Sequence, residues 1–288
     1  MKYLVLGSAG QIGSAFVKKI KKEHKNDSII EFDIETSPKE DLRIYHNELL
    51  DKAVKECDFV FFFAFDVGGS RYLKTYQNTF DFISNNTKII NNTFDIIKKH
   101  NKPFIFASSQ MANMSFSGYG RLKAVGESYT NALAGLVVKF WNVYGIEHDL
   151  NKSHVITDLI IKARNTKTID LLTDGTEERQ FLYADDCCEC LLEIVKRYKD
   201  IPRYKELHVT NFEWSSVLDV AEIIASHYPG SKIIPSTSGD DFQKNKKNEP
   251  DPYILEFWKP KTNLKTGISK IVSVMEKEAE HFFGKNKK

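Results

Sequence analysis

The feature that most constrains this fold is a glycine-rich turn between an apolar run and an amphipathic segment. The apolar run is Tyr3–Leu6, the turn has the spacing G-x-x-G-x-x-G, and a helical pattern follows over Ile12–Lys22. Such glycines let the backbone approach a pyrophosphate closely, and the helix N-terminus presents unpaired N–H groups to it. We therefore predict a dinucleotide-binding turn, with a turn of purely structural role as the alternative. The predicted contacts are Gly7, Gly10, Gln11, Ile12 and Gly13.

The rest of the chain alternates short apolar runs with amphipathic segments, which predicts repeated βαβ units around a parallel sheet. The runs lack strict polar alternation, as expected of strands that are buried on both faces. The predicted strands are Tyr3–Leu6, Ser28–Phe32, Phe59–Phe63, Phe104–Ala107, Leu136–Phe140 and Leu207–Thr210. The predicted helices are Ile12–Lys22, Asn47–Lys55, Asn78–His100, Tyr119–Ala134, Asp185–Lys199 and Ser215–His227. A polar stretch, Ser236–Asn248, is predicted to be a loop.

Composition argues against several classes of protein. The 288 residues contain 41 Lys and Arg against 39 Asp and Glu, and a net charge of +2 does not indicate a nucleic-acid-binding protein. The longest apolar run, Phe59–Phe65, is much shorter than the roughly 18 residues of a membrane span. No signal-peptide pattern precedes Tyr3. We therefore predict a cytoplasmic protein whose partners include neither nucleic acid nor a membrane.

The four cysteines do not indicate a disulfide framework or a metal site. Cys187, Cys188 and Cys190 crowd into one short stretch, and Cys57 stands apart. Disulfides in secreted domains close loops between separated cysteines. No second Cys/His pair with ligand spacing accompanies the cluster. We predict small buried thiols on a helix, and no metal.

An acidic residue closes the second predicted strand. Asp33 lies twenty residues after Gly13, where a carboxylate can accept hydrogen bonds from both hydroxyls of an adenosine ribose. The same carboxylate would repel a 2′-phosphate, so it favours NAD over NADP. The alternative is a solvated carboxylate at a strand end. Asp41 and Leu42 lie where the end of a third strand could contact the adenine.

A tyrosine and a lysine four residues apart indicate a second centre of chemistry. Tyr119 and Lys123 share one face of a predicted helix, directly after an apolar strand that ends in Ser108 and Ser109. A nearby ammonium and an oxidised nicotinamide both favour the phenolate, so we expect the tyrosine pKa to fall from about 10 toward that of a useful general base. The two serine hydroxyls could bind the same substrate oxygen.

In this order the motifs resemble the extended short-chain dehydrogenase/reductases, in particular their NAD-dependent nucleotide-sugar epimerases and dehydratases. The resemblance spans nearly the whole chain. Its motifs are Gly7/Gly10/Gly13, Asp33, Phe62-Phe63-Ala64, Asn86, Ser108-Ser109, Tyr119/Lys123, Asn142-Val143-Tyr144-Gly145, Arg179–Asp186 and Trp258–Ile268. It implies an α/β fold with a Rossmann-type doubly wound parallel sheet and a smaller C-terminal substrate-binding domain.

The resemblance also implies domain boundaries and an assembly. Residues 1–145 would form the NAD-binding domain, and residues 180–212 would return to it. Residues 146–288 would mainly bind the substrate. Relatives commonly dimerise through the two helices predicted at Asn78–His100 and Tyr119–Ala134, so a homodimer is expected.

By the same resemblance, Ser109, Tyr119 and Lys123 form the catalytic trio, and Lys123 also binds the nicotinamide ribose. Ala64 belongs to the cofactor site. The loop Asp66–Arg71 follows the strand at 59–63, where the family places a loop near nicotinamide and sugar. Three residues are expected to bind a nucleotide-diphosphate sugar, a role that suits amide donors and a guanidinium fork. They are Asn86, Asn142 and Arg179.

Two departures narrow the reaction. Dehydratases of the family follow the catalytic hydroxyl residue with Asp-Glu, whereas Ser109 is followed by Gln110 and Met111. The related 3,5-epimerases use a cysteine near the position of Met111. The remaining chemistry is hydride transfer with one base, which predicts a nucleotide-sugar 4-epimerase with recycled NAD. The alternatives are a 4-ketoreductase or dehydrogenase that uses the trio once per turnover, and a catalytically silent dinucleotide-binding regulator.

Overall fold

A computed structural model of the chain describes residues 1–239 and 248–283. Short strands alternate with helices through most of this length. The strands are β1 Lys2–Leu6, β2 Ser28–Phe32, β3 Phe59–Phe62, β4 Phe104–Ser109, β5 Leu136–Phe140, β6 Asn142–Tyr144, β7 Thr168–Asp170, β8 Glu178–Arg179, β9 Phe181–Tyr183, β10 Leu207–Val209, β11 Ser215–Ser216 and β12 Lys232–Ile234. The predicted loop at Ser236–Asn248 lies largely outside the described residues, because 240–247 are not among them.

The helices pack on both faces of the main sheet and around a second, smaller core. They are α1 Gln11–Glu23, α2 Glu48–Glu56, α3 Ser70–Tyr76, α4 Phe80–His100, α5 Gly118–Ala132, α6 Val155–Thr166, α7 Ala184–Lys196, α8 Val217–His227, α9 Leu264–Lys277 and α10 Ala279–Phe283. Short 3-10 helices cover Pro38–Glu40, Gln110–Asn113, Leu150–Lys152 and Pro252–Glu256.

Six strands form a parallel sheet in the order β10-β5-β4-β3-β1-β2. The strand order reverses at β1, since β2 lies on one side of it and all later strands lie on the other. A doubly wound sheet binds its ligands outside the carboxyl ends of the strands at such a reversal. The predicted Rossmann-type α/β fold is confirmed.

Two hydrophobic clusters cover the faces of this sheet, and a third lies beyond it. One cluster joins α1 and α7 to the sheet, and α2 and α4 pack on the opposite face. The third cluster lies among α6, α8 and α9, next to the short pairs β7–β12 and β6–β9. The sheet therefore has a buried core on each face, and its carboxyl edge borders the third cluster.

Capping residues explain where the predicted helix boundaries shift. Thr79 caps α4 by accepting a hydrogen bond from the Phe82 amide, so the helix begins two residues later than predicted. Ala134 has a left-handed φ of 53°, and α5 therefore ends before it. The short helix α3 was not predicted. Cys187, Cys188 and Cys190 are buried on α7, as predicted, and no helix of the described residues is long and apolar enough to cross a membrane.

Candidate active site

A single large cavity lies at the carboxyl edge of the main sheet. Its volume is about 1750 Å³, which exceeds the roughly 300–1,000 Å³ of a pocket for one small ligand. The cavity is lined by residues that follow β1, β2, β3 and β4, and on its far side by residues of α6 and the β7–β8 segment. It has room for two ligands of nucleotide size.

The glycine-rich turn at one end of the cavity has no space for side chains. Gly7 has a φ of +86°, and a Cβ there would lie 2.7 Å from the Ala64 nitrogen. A Cβ on Gly13 would lie 2.0 Å from the Gly7 carbonyl oxygen. Gly10 is the N-cap of α1, and no side chain of the described residues caps that helix. The first N–H groups of α1, including those of Gln11 and Ile12, therefore face an anion site.

Asp33 lies beside this turn, as the sequence predicts. Its Oδ2 accepts a hydrogen bond of 2.9 Å from the Ala9 amide, and its Oδ1 accepts one of 3.0 Å from the Glu35 amide. Asp41 and Leu42 also line the cavity, but Arg43 binds the Asp41 carboxylate with Nε and Nη2. Asp41 therefore presents an ion pair rather than a free carboxylate to this end of the cavity.

Ser109, Tyr119 and Lys123 come together near the centre of the cavity. Ser109 ends β4, Tyr119 lies on the first turn of α5, and the Ser109 hydroxyl is near enough to the phenol to lower its pKa in part. The Lys123 ammonium donates 2.6 Å to the Ala107 carbonyl oxygen and lies 3.8 Å from the centre of the Phe65 ring. A hydroxyl pair and a buried ammonium are thus grouped where a proton could be exchanged with a ligand.

The pKa values of this group differ from the expectation. Burial raises the pKa of Tyr119 to about 12, and the Ser109 hydrogen bond only partly offsets it. Burial lowers the pKa of Lys123 to about 7, against an opposing effect of Glu127. The expected fall of the tyrosine pKa is therefore not a property of the protein alone, because burial raises that pKa, and Lys123 with a pKa of about 7 is only partly charged at neutral pH.

The low pKa of Lys123 makes the stability of the unliganded protein depend on pH. Between pH 7 and 10 the unfolded chain binds this proton and the folded chain does not, so the free energy of unfolding rises with pH. The contribution is at most about 1.4 kcal/mol per pH unit. Urea unfolding at pH 7 and pH 9 measures this rise in the free energy of unfolding. The rise should be smaller by about 2 kcal/mol in Lys123→Met than in the parent protein. Equal rises in both proteins would contradict a deprotonated Lys123.

Two predicted residues have side chains that are hydrogen-bonded to other parts of the protein. The Ser108 hydroxyl donates 2.5 Å to Glu127 Oε1, so only Ser109 can face a ligand, because adjacent strand residues point to opposite faces. Asn86 is fully buried, and its amide hydrogen-bonds the backbone of Asp66 and Phe82. Asn86 thus anchors the loop after β3, and its predicted contact with substrate stays a prediction.

The other predicted residues line the cavity. Ala64 follows β3, and the whole loop Asp66–Arg71 lies along the wall. Asn142 lies in the wall as well, and its Nδ2 is buried without a hydrogen-bond partner in the described part of the chain. Arg179 lies at the far end, where its Nη1 donates 2.9 Å to the Glu178 carbonyl oxygen. A buried, unsatisfied amide is expected to bind a ligand.

Charged residues that the sequence did not reveal line the wall opposite the glycine turn. His154 Nδ1 lies 2.5 Å from Glu147 Oε1, and the His154 amide donates to the other carboxylate oxygen. Burial favours the neutral imidazole, but the Glu147 carboxylate outweighs it and raises the pKa of His154. Asp66 accepts hydrogen bonds from Tyr72, Asn85 and Lys152. No periodic pattern marks residues 147 and 154, so only the fold brings them to the site.

A family model and several known proteins match this chain. A model described as the NAD dependent epimerase/dehydratase family matches residues 3–209. A GDP-L-fucose synthase of Sinorhizobium fredii (strain NBRC 101917 / NGR234) is 32% identical over 138 residues, covering 45% of this chain and 43% of that protein. A dTDP-L-rhamnose 4-epimerase of Burkholderia thailandensis is 26% identical over 148 residues, covering 50% and 40%. The chain thus spans less than half the length of these two curated relatives.

Solved structures share the fold along almost the whole chain. A UDP-glucose 4-epimerase of Thermotoga maritima, solved with UDP-glucose, has a TM-score of 0.79 at 18% identity and covers 97% of this chain and 100% of that one. A dTDP-glucose 4,6-dehydratase of Bacillus anthracis, solved with NAD, has a TM-score of 0.77 at 19% identity, with 98% of each chain covered. A GDP-6-OMe-4-keto-L-xylo-heptose reductase of C. jejuni has a TM-score of 0.79 at 18% identity, covering 96% and 98%. At such identities the likeness concerns the fold alone.

Proposed function

The chain belongs to the NAD-dependent epimerase/dehydratase family, and from this premise we propose that it is a nucleotide-sugar 4-epimerase that keeps NAD bound between turnovers. The observation that carries the proposal is the meeting of two groups of residues in one cavity. One group is the glycine turn with Asp33, and the other is Ser109, Tyr119 and Lys123. An epimerase needs the nicotinamide of NAD, which the first group would hold through the rest of the cofactor, and the second group at the same sugar carbon.

The first group fits NAD. A Cβ on Gly7 or Gly13 would meet backbone atoms at 2.7 Å or 2.0 Å, so this close turn requires glycine there, and the N-terminus of α1 lies open to a pyrophosphate. Asp33 would accept the adenosine ribose hydroxyls, with Asp41 and Leu42 at the adenine and Ala64 along the path to the nicotinamide. Bound NAD⁺ supplies a positive charge and a hydride acceptor that gives the hydride back.

The second group handles the proton. Tyr119, as phenolate, takes the proton of the sugar 4-hydroxyl and returns it when the opposite epimer forms. The Ser109 hydroxyl, already near the Tyr119 phenol, holds the same sugar oxygen. Lys123, with its pKa lowered to about 7 by burial, is close to half protonated at neutral pH, and a charged ligand beside it would shift that balance.

The far side of the cavity fits the nucleotide diphosphate and the turning of the sugar. Asn142 offers an unsatisfied amide, and Arg179 lies at the far end of the same wall. A 4-ketose has to expose both faces to the same hydride position, so the sugar must rotate. The volume of about 1750 Å³ leaves space for this. Within the proposed substrate-binding part, residues 146–288, described residues between Glu147 and Gly239 supply much of this wall, which supports a substrate-binding role.

A 4-ketoreductase is the second candidate, because the same three residues suffice for one hydride transfer per turnover. A solved GDP-6-OMe-4-keto-L-xylo-heptose reductase shares this fold, so the fold is compatible with that reaction as well. A catalytically silent regulator is disfavoured, since Ser109, Tyr119 and Lys123 all line the same cavity and Lys123 Nζ lies 5.8 Å from the centre of the Tyr119 ring.

We further propose a cytoplasmic homodimer that forms through α4 and α5. Large apolar side chains on and beside these helices are exposed. They are Phe80, Ile83, Phe116, Val125 and Tyr129. An apolar patch of this kind on two adjacent helices is typical of a buried interface. Light scattering that gave the mass of a single chain would contradict the dimer.

The decisive experiment follows sugar identity and cofactor state together. A panel of UDP-, GDP- and dTDP-sugars is incubated with catalytic NAD, and products are identified by NMR while nicotinamide absorbance is recorded. We expect a 4-epimer without net NADH, because an epimerase returns the hydride to the carbon that it left. Reduction of a 4-keto sugar with one NADH consumed per product would replace the epimerase with the reductase.

A further inference from the structure

A buried lysine lies behind the catalytic serine. Lys139 is on β5, where it is the register partner of Ser108 on β4, and it is only 1% exposed. Its ammonium donates 3.0 Å to Asn113 Oδ1 and 2.7 Å to Glu206 Oε1, and lies 3.7 Å from Glu127 Oε1. A buried ammonium needs such acceptors, because an unpaired charge in the interior is costly.

Glu127 connects this lysine to the helix that carries Tyr119 and Lys123. It lies on α5, four residues after Lys123 and eight after Tyr119. Its Oε1 accepts the 2.5 Å hydrogen bond from Ser108. One carboxylate oxygen therefore joins β4, β5 and α5, since it contacts Ser108 directly and Lys139 as an ion pair.

The contacts of this pair lie on both sides of Ser109 in the chain. Ser108 precedes it, and Asn113 ends the 3-10 helix Gln110–Asn113 that follows it. Ser109 caps that short helix, because its hydroxyl oxygen accepts a 3.1 Å hydrogen bond from the Met111 amide. The direction of the Ser109 hydroxyl thus depends on the segment 108–113. Glu127 holds this segment at Ser108, and Lys139 holds it at Asn113.

The same segment packs tightly against the start of α5. A Cβ on Gly120 would lie 2.1 Å from the Met111 carbonyl oxygen. The backbone after Ser109 is therefore in close contact with the residue that follows Tyr119. A small displacement of the 3-10 helix would change the separation of the Ser109 and Tyr119 hydroxyls directly.

We propose that Glu127 and Lys139 are positioning residues, whose buried ion pair fixes the Ser109 segment against α5 and so sets the geometry of the Ser109–Tyr119 pair. The inference rests on the proposed function only in taking Ser109 and Tyr119 as the reacting pair. Neither residue of the ion pair lines the cavity, so both act through Ser108, Asn113 and the backbone. The hydrogen bonds from Lys139 to Asn113 and from Ser108 to Glu127 suit this role better than an apolar contact, since they are directional.

The test compares Lys139→Met, Lys139→Arg and Asn113→Ala with the parent protein. Displacement of a reacting group by about 1 Å can cost on the order of 100-fold in rate. We expect Lys139→Met to lower kcat at least about tenfold while KM and NAD affinity stay within about twofold. Lys139→Arg keeps the charge and should restore most of kcat. Asn113 is exposed, so Asn113→Ala should fold normally and still lower kcat severalfold.

Hydrogen exchange of peptides covering residues 108–120 gives a readout independent of turnover. Exchange should be at least about tenfold faster in Lys139→Met and close to the parent rate in Lys139→Arg. Lys19→Met, which removes another poorly exposed paired lysine on α1, is the matched control and should change neither kcat nor this exchange. Unchanged exchange and kcat in Lys139→Met and Asn113→Ala would overturn the inference. If exchange is faster in Lys139→Met but the parent protein turns over no nucleotide sugar, the result counts against the proposed function and not against this inference.

Discussion

Tyr119→Phe is expected to abolish turnover while leaving the fold and NAD binding intact. The substitution removes the one oxygen that can exchange a proton with the sugar hydroxyl but keeps the ring, which packs edge-on against Phe65 at 5.7 Å between centroids. General acid–base groups contribute about 10²–10⁴-fold to rate. We expect kcat to fall by at least about 10³-fold, measured as product formed under single-turnover and steady-state conditions.

Tyr129→Phe is the matched control for this prediction. Tyr129 lies on the same helix, is partly exposed, and donates a 3.0 Å hydrogen bond to Asn91 Oδ1 outside the cavity. Loss of the Tyr129 hydroxyl should leave kcat unchanged. Calorimetric titration with NAD should give the same affinity for both variants and the parent. If Tyr119→Phe kept a tenth or more of the activity, another group would have to take the proton.

Gly13→Ala should remove most of the affinity for NAD. The added Cβ would lie 2.0 Å from the Gly7 carbonyl oxygen and 2.9 Å from the Gly7 carbonyl carbon. Both contacts are backbone atoms, which cannot rotate away as the end of a side chain can. The turn and the N-terminus of α1 must therefore separate, at a cost of about 1–3 kcal/mol for such overpacking.

Calorimetry and thermal unfolding together measure this effect. We expect NAD affinity to fall at least about tenfold, and the unliganded protein to unfold at a lower temperature. Gly239→Ala is the control, because a Cβ there would meet no atom of residues 1–239 and 248–283 within 4 Å. Parent-like NAD affinity in Gly13→Ala would show that the turn does not bind the pyrophosphate.

Local sequence predicted the parts of the site that depend on one strand and the residues directly after it. Gly7 and Gly13 follow β1, Asp33 follows β2, and Tyr119 and Lys123 share one helical turn. Parallel strands bring their carboxyl ends to one edge, so these short motifs converge without any long-range information. This is why the fold and most of the cofactor end of the cavity could be predicted.

Side-chain direction and long-range pairs could not be predicted in the same way. Ser108 and Ser109 are equivalent as sequence, but they alternate across β4, and only the packing of α5 decides which one faces Glu127. Asn86 lies on the inner side of α4, where its amide is hydrogen-bonded to the backbone of Asp66 and Phe82. The Glu147–His154 pair depends on how the segment after β6 folds back, which no short periodic pattern encodes.

The position of β10 has a consequence for how the chain is made. This strand is completed only at Val209, yet it pairs in the main sheet with β5, which ends at Phe140. During translation the edge of β5 stays unpaired until the intervening segment and β10 have both left the ribosome. The helix α7, which covers the face of the sheet beside α1, arrives in the same interval. The dinucleotide-binding half therefore cannot finish folding as an N-terminal unit during synthesis, and a nascent chain that stalls early exposes a sheet edge prone to aggregation.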